Sequence, residues 1–368
     1  MLLTLFYCFV AVTTINVLFY FSFFNFLFSS DTSSSLSQIT SPVSLIIYAK
    51  NNAEDLRKFL PLFLNQDHPS FELVLINDAS YDDTLEVMEE FQSKDPRIVL
   101  VNVERNERFW GNKKYALTLG IKKASFDKLI TIDANCYPAS THWLQQVANG
   151  FQPGKSLILG YGAYNMVKNS FLNIFIRFEN LQNAIKYFSA AKNFKAYKGV
   201  SRNLAYTAHA FYENRGFVDH MNIPLSDDHL FVNQIANKNN TSLIYKEKSF
   251  TYTQATSSWK SWFAEKRNQI SVFSFYKKSE IFKLAVFNAS QFLFWLFSIL
   301  LFCFYDWCWI LLIFLIRTAV LYITYAKATS VFKEKQLLWG LVFQDFLWVF
   351  LRMFIFIFYK FSKPLYRK

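Results

Sequence analysis

The sequence predicts an α/β domain with a mostly parallel sheet, carried between membrane-spanning helices at its two ends. Three observations predict it. The first thirty residues contain no charged side chain. Two more apolar blocks lie near the other end, at 284–325 and 337–359. Between them, short β-branched or apolar runs alternate with helical patterns, as a parallel sheet with covering helices requires.

Composition sets the bounds. The chain has 368 residues, of which 52% are hydrophobic, 43 are Phe and only 18% are charged. That excludes a disordered chain and a disulfide miniprotein. The net charge of +12 would suggest nucleic acid in a soluble protein. With this much clustered Phe it points to membrane lipids and to no nucleic acid, because cytoplasmic flanks of membrane segments collect Lys and Arg. Cys8, Cys136, Cys303 and Cys308 show no metal-ligand spacing, so neither a disulfide framework nor a zinc site is expected.

Residues 1–30 are long enough to cross a bilayer and lack a basic n-region and a small-x-small cleavage site, so they read as an uncleaved anchor. A Ser/Thr-rich linker follows at 31–42, and the soluble domain occupies 43–255. Its strands are expected at 43–49, 71–77, 98–103 and 128–133, and its helices at 53–64, 81–93, 113–124 and 141–150. Residues 256–282 alternate Trp and Phe with Lys and Arg. They suit an amphipathic helix at the membrane surface, or equally one packed on the domain. Residues 283–326 read as a transmembrane hairpin turning at Asp306. Arg317, inside its second stretch, is either a functional intramembrane charge or a helix-pairing one. The last helix, 337–359, carries Asp345 and Arg352 on one face and is expected to be interfacial or re-entrant, with a span as the alternative. Lying flat, it keeps every basic cluster in the cytosol.

Ligands of such sheets bind beyond the carboxyl ends of the strands. Polar residues collect there: Tyr48 to Asn51, Asn77-Asp78-Ala79-Ser80 and Asp133-Ala134-Asn135. No glycine-rich phosphate loop accompanies them, so phosphates would more naturally be held through a divalent cation. Asp78, Asp82 and Asp133 can also be turn or helix caps. Lys113 and Lys114 open a helix, where a cation is disfavoured unless an anion lies near. Asp227-Asp228 can cap a helix or supply a general base.

The ordered set of motifs resembles membrane-anchored family 2 glycosyltransferases, which have an inverting GT-A domain. The motifs are Ile47-Tyr48-Ala49-Lys50-Asn51, Asn77-Asp78-Ala79-Ser80, Lys113-Lys114-Tyr115-Ala116-Leu117, Asp133-Ala134-Asn135-Cys136-Tyr137-Pro138, Asn203-Leu204-Ala205-Tyr206 and Asp227-Asp228. The resemblance implies a nucleotide-sugar site at Tyr48, Asn51, Asp78, Lys113 and Asp133. It implies Mg2+ or Mn2+ on Asp133 and Asn135, Asp228 as the catalytic base, and Asn203 and Asp227 on the acceptor side. It implies transfer of a sugar from a nucleotide-diphospho-sugar to a lipid-linked or glycan acceptor. The protein would be multi-pass, with a cytoplasmic catalytic domain, in a bacterial inner membrane.

Two departures from the family pattern bear on activity. Asn135 replaces the second acid of D-x-D and brings no charge, which weakens a metal site. The Q-x-x-R-W motif of processive members is replaced around Glu265-Lys266-Arg267-Asn268-Gln269, which implies non-processive transfer. The rival reading is a catalytically impaired GT-A domain serving as a binding or assembly partner in glycan synthesis.

Overall fold

The computed structural model describes residues 2–28, 41–104, 113–223 and 228–361. The expected linker at 31–42 lies almost wholly outside these residues, as does Asp227. The chain divides into two compact units. An α/β unit is drawn from 31–165 and 194–255, and a helical unit from 1–30, 166–193 and 256–368.

Among the described residues the α/β unit contains ten strands: β1 (Val43–Ala49), β2 (Phe71–Asp78), β3 (Ile98–Val103), β4 (Lys128–Asp133), β5 (Cys136–Pro138), β6 (Leu157–Gly160), β7 (Gly162–Tyr164), β8 (Leu204–Thr207), β9 (Thr241–Ile244) and β10 (Thr251–Thr253). Seven form one sheet in the order β3-β2-β1-β4-β8-β6-β9, and β5-β10-β7 form a small second sheet. The β1–β2, β1–β4, β2–β3 and β6–β9 pairs are parallel. Strand β8 enters antiparallel between β4 and β6. β2 is buried along its whole length, as a central strand covered on both faces must be. Helices Ala53–Leu64, Thr84–Lys94 and Lys113–Lys123 follow the first three strands. The second starts three residues later than the pattern suggests, because Asp82 uses Oδ1 to accept from Thr84 N–H and Oδ2 to accept from Ala53 N–H. The third lies close on the sheet at Gly120, where a Cβ would fall 2.3 Å from Ile76 Cδ1.

Among the described residues the helical unit holds four helices long and apolar enough to cross a membrane: Leu2–Phe28, Lys278–Phe304, Trp307–Val331 and Leu341–Phe361. The last meets the same measure of length and composition as the other three. Of the expected polar stripe of this helix, Asp345 is turned into the protein. That side chain is fully buried and pairs with Arg317, Nη2 to Oδ2 at 2.8 Å. Asn16 and Tyr20 of the first helix accept from Arg317 Nε and Nη2, and Trp295 Nε1 donates to Asp345 Oδ2 at 3.0 Å. Four helices therefore meet at one charge pair whose remaining polar valences are largely met, which an apolar bundle requires.

The helix Phe171–Asn193 belongs to this unit, although the sequence pattern places it inside a continuous soluble domain. It buries residues on nearly all its faces, so protein surrounds it. Phe188 stacks on Phe26, and Arg177 Nε donates to Glu334 Oε2. Lys266 pairs with Glu179 at 2.8 Å, and Trp262 Nε1 donates to the same carboxylate. That face of helix Trp259–Phe273 thus packs on protein.

Candidate active site

Two groups of side chains gather at the carboxyl edge of the α/β sheet. The first lies beyond β1 and β2. Tyr48, near the end of β1, donates its hydroxyl to Asp78 Oδ2 at 2.7 Å, and Lys50 Nζ pairs with the same oxygen at 3.2 Å. Burial, and then the adjacent carboxylate, push the Tyr48 phenol above its ordinary range. It therefore stays protonated and remains a donor. Asn51 and Ala79 both adopt left-handed backbone, with φ of 55° and 47°. These turns let the two loops clasp each other. Asn51 N–H donates to Ser80 Oγ, and Tyr81 N–H donates to Asn51 Oδ1. Asn51 thus holds the loop pair, and Asp78 is nearly buried beneath it.

The second group surrounds a small pocket lined by Lys113, Thr131, Asp133, Ser201, Tyr206, Phe217 and Asp228, among others. Asp133 ends β4. Its Oδ1 takes Lys113 Nζ at 2.6 Å, and its Oδ2 accepts from Ser201 Oγ at 3.0 Å. Lys113 opens its helix and lies 5.1 Å from the centroid of the Tyr48 ring, which joins this group to the first. Lys114 turns the other way. It is buried and donates to the carbonyls of His220 and Ile223, so it anchors the turn at 220–223.

Asp228 accepts from Ser201 N–H through Oδ2 and from His229 N–H through Oδ1, both at 2.8 Å. The second contact makes it the N-cap of helix His229–Ile235, so the capping reading holds and coexists with a place in the pocket. Its side chain is 12% exposed. Burial raises its carboxyl above the ordinary range, against the opposing pull of Lys113 and the Ser201 N–H. A carboxylate raised in this way, yet still reachable, is suited to taking a proton.

Of the expected site residues, Tyr48, Lys113, Asp133 and Asp228 are brought together here, with Asp78 beneath Tyr48. Asn203 is not among them. It is buried and donates its amide to the carbonyls of Tyr161 and Ser249, at 3.1 and 2.8 Å. Asn135 is exposed, and its Oδ1 accepts from Cys136 Sγ. Burial pushes that thiol up to about 12, so it stays protonated. Ser201 is the residue the sequence reading misses. Its only signal is its place two residues before Asn203, at the head of the quoted motif.

The donor set at Asp133 does not fit a resident divalent ion. Both carboxylate oxygens are engaged, one of them by an ammonium. Asn135 brings no charge, and its amide oxygen accepts from Cys136 Sγ, which leaves it a weak ligand for a hard cation. Among the described residues no three His, Cys, Asp or Glu side chains gather in a metal-holding group.

The family described as glycosyl transferase family 2 matches residues 44–205. A poly-beta-1,6-N-acetyl-D-glucosamine synthase of Staphylococcus epidermidis is 32% identical over 93 residues, 25% of this chain and 21% of that protein. A dolichyl N-acetyl-alpha-D-glucosaminyl phosphate 3-beta-D-2,3-diacetamido-2,3-dideoxy-beta-D-glucuronosyltransferase of Methanococcus voltae is 34% identical over 102 residues, 26% of this chain and 30% of that protein. The matched part is thus a fifth to a third of the length of these relatives. Among solved structures, a mannosyltransferase of Pyrobaculum calidifontis in complex with GDP-Man and Mn2+ superposes with a TM-score of 0.60. It does so at 15% identity, over 94% of this chain and 99% of that one.

Proposed function

We propose that this protein is a membrane-bound glycosyltransferase, because residues 44–205 match the family described as glycosyl transferase family 2 and the fold is similar to that of a solved mannosyltransferase. It moves one sugar from a nucleotide-diphospho-sugar to a lipid-linked or glycan acceptor. The observation that carries this reading is the single pocket holding Asp133 and Asp228, with Ser201 bonded to both.

The chemistry follows from the positions. The nucleotide lies by Tyr48 and Asp78, and its diphosphate reaches Lys113 and Asp133. Asp228 takes the proton from the acceptor hydroxyl. That oxygen attacks the anomeric carbon as the bond to the diphosphate breaks, and the nucleoside diphosphate leaves with the electron pair. The two N–H groups on Asp228 fix its orientation, and its two oxygens keep lone pairs able to take the proton. The leaving diphosphate gathers negative charge and needs a cation beside it.

A lipid-linked acceptor is supported by the four apolar helices and by the Methanococcus voltae relative, whose name includes a dolichyl-linked sugar phosphate. The replaced Q-x-x-R-W motif supports transfer of one sugar at a time, and the basic flanks support a cytoplasmic site. The test is transfer from UDP- and GDP-sugars to membrane lipid extracts by the detergent-solubilised protein. A labelled glycolipid formed by the wild type and lost with Asp228→Asn supports the reading. If nucleotide binds without transfer to any acceptor fraction, the impaired, partner-protein reading replaces it.

A further inference from the structure

We propose that Lys113, and not a divalent cation, neutralises the donor's diphosphate, so that donor binding is metal-independent. This rests on the glycosyltransferase reading and adds the identity of the counter-charge.

Three observations carry it. First, Lys113 holds its ammonium 2.6 Å from the strand-end carboxylate of Asp133 and 5.1 Å from the centroid of the Tyr48 ring, so it joins the two groups of the site. Second, the pair is not sealed off. Both side chains are 25% exposed and line the pocket with Asp228. An arriving diphosphate can therefore reach the ammonium and compete with Asp133 for it. Third, Asp133 already has a monovalent counter-charge in Lys113, and Asn135 brings no second charge for a divalent ion. A divalent ion would also have to displace Lys113 Nζ from one Asp133 oxygen and share the other with Ser201.

No bond to the cation forms or breaks in this scheme. The ammonium moves its electrostatic partner from a carboxylate to the diphosphate, and Asp133 stays bonded to the Ser201 hydroxyl. Charge-assisted contacts of this kind are strong enough to set affinity.

The test is calorimetry of the full-length, detergent-solubilised protein against UDP and GDP, each with EDTA and with Mn2+. We expect the nucleotide that binds to do so with the same affinity in both buffers. Lys113→Met should weaken binding in EDTA by about tenfold or more, and Lys113→Arg should retain most of it. Adding Asn135→Asp to Lys113→Met should restore affinity in Mn2+ but not in EDTA. Wild-type binding that falls by about tenfold on chelation overturns the proposal and leaves the glycosyltransferase reading standing. Unchanged EDTA binding by Lys113→Met overturns it too. If folded wild type binds neither nucleotide in either buffer, the donor reading fails and takes the proposal with it.

Discussion

Ser201 holds Asp228 through its backbone N–H, 2.8 Å from Oδ2, and so leaves its own hydroxyl for Asp133, 3.0 Å away. Backbone and side chain of one residue thus serve different carboxylates, and substitution can separate them. Ser201→Ala removes only the hydroxyl. It should weaken donor binding by a few-fold, about 0.5–1.5 kcal/mol, and leave the pH profile in place. Ser201→Pro removes the N–H as well. The position opens a short 3-10 turn, and Val200 before it is extended at φ −134° and ψ 117°, a conformation that proline's predecessor favours. With one N–H lost, the Asp228 carboxyl rises further and the acid limb of the rate profile moves to higher pH. Initial-rate profiles of both variants check this. Equal profiles would show that the Ser201 N–H does not tune Asp228.

The pH dependence of the wild type has a defined sign. Asp228 is raised by burial, so the charged base appears only above a pH higher than the ordinary aspartate value of about 3.9. Transfer should rise through that higher pKa. Stability moves the other way. A raised carboxyl favours the folded state below its unfolded pKa, and that contribution is lost as pH rises towards the folded value. Thermal unfolding of wild type and Asp228→Asn from pH 3.5 upward should show this decline in the wild type and not in the variant. Lys113→Met removes an opposing charge and should move the acid limb higher still.

The Arg317–Asp345 pair in the helical unit is fully buried. Removing one partner leaves an unpaired buried charge, at a cost of about 3–5 kcal/mol. Arg317→Leu and Asp345→Leu should each lower the melting temperature in detergent more than the double variant does. Additive losses would mean that the two side chains are not energetically coupled.

Gly160 lies against Asn203. A Cβ there would fall 2.3 Å from Asn203 Cγ and 2.4 Å from Nδ2. Gly160→Ala should therefore destabilise the protein by about 1–3 kcal/mol, measured by denaturant unfolding. Asn203→Ala on that background should recover part of the loss, because the small side chain clears the clash. No recovery would place the strain elsewhere.

What the sequence makes legible follows from run length and periodicity. Strands β1 to β4 are six to eight residues long, enough to show as apolar or β-branched runs between helical patterns. Strands β5, β7 and β10 have three residues each, too few for a period. That β8 runs antiparallel is a tertiary fact that its four residues do not encode. Helix Phe171–Asn193 mixes buried Phe and Leu with buried Asn, Arg, Glu and Gln, so it reads as ordinary soluble sequence although it belongs to the helical unit. At the site, acids at strand ends are conspicuous, and Asp133 and Asp228 stand out in their motifs. Ser201 matters through its backbone as much as its hydroxyl, and composition carries no trace of that. Asn203 is prominent in its motif, but its amide is committed to the Tyr161 and Ser249 carbonyls, which only the fold places within reach.

The most direct measurement of the central claim is nucleotide binding by three folded proteins: wild type, Asp133→Asn and Asp228→Asn. Calorimetry should find that the wild type binds UDP or GDP and that Asp133→Asn, which removes the carboxylate competing for Lys113, binds it no more weakly. Asp228→Asn should keep wild-type affinity while losing transfer by about 100-fold or more. Failure of the wild type to bind either nucleotide would contradict the account. So would Asp228→Asn losing donor binding together with transfer, since its proposed partner is the acceptor hydroxyl and not the donor.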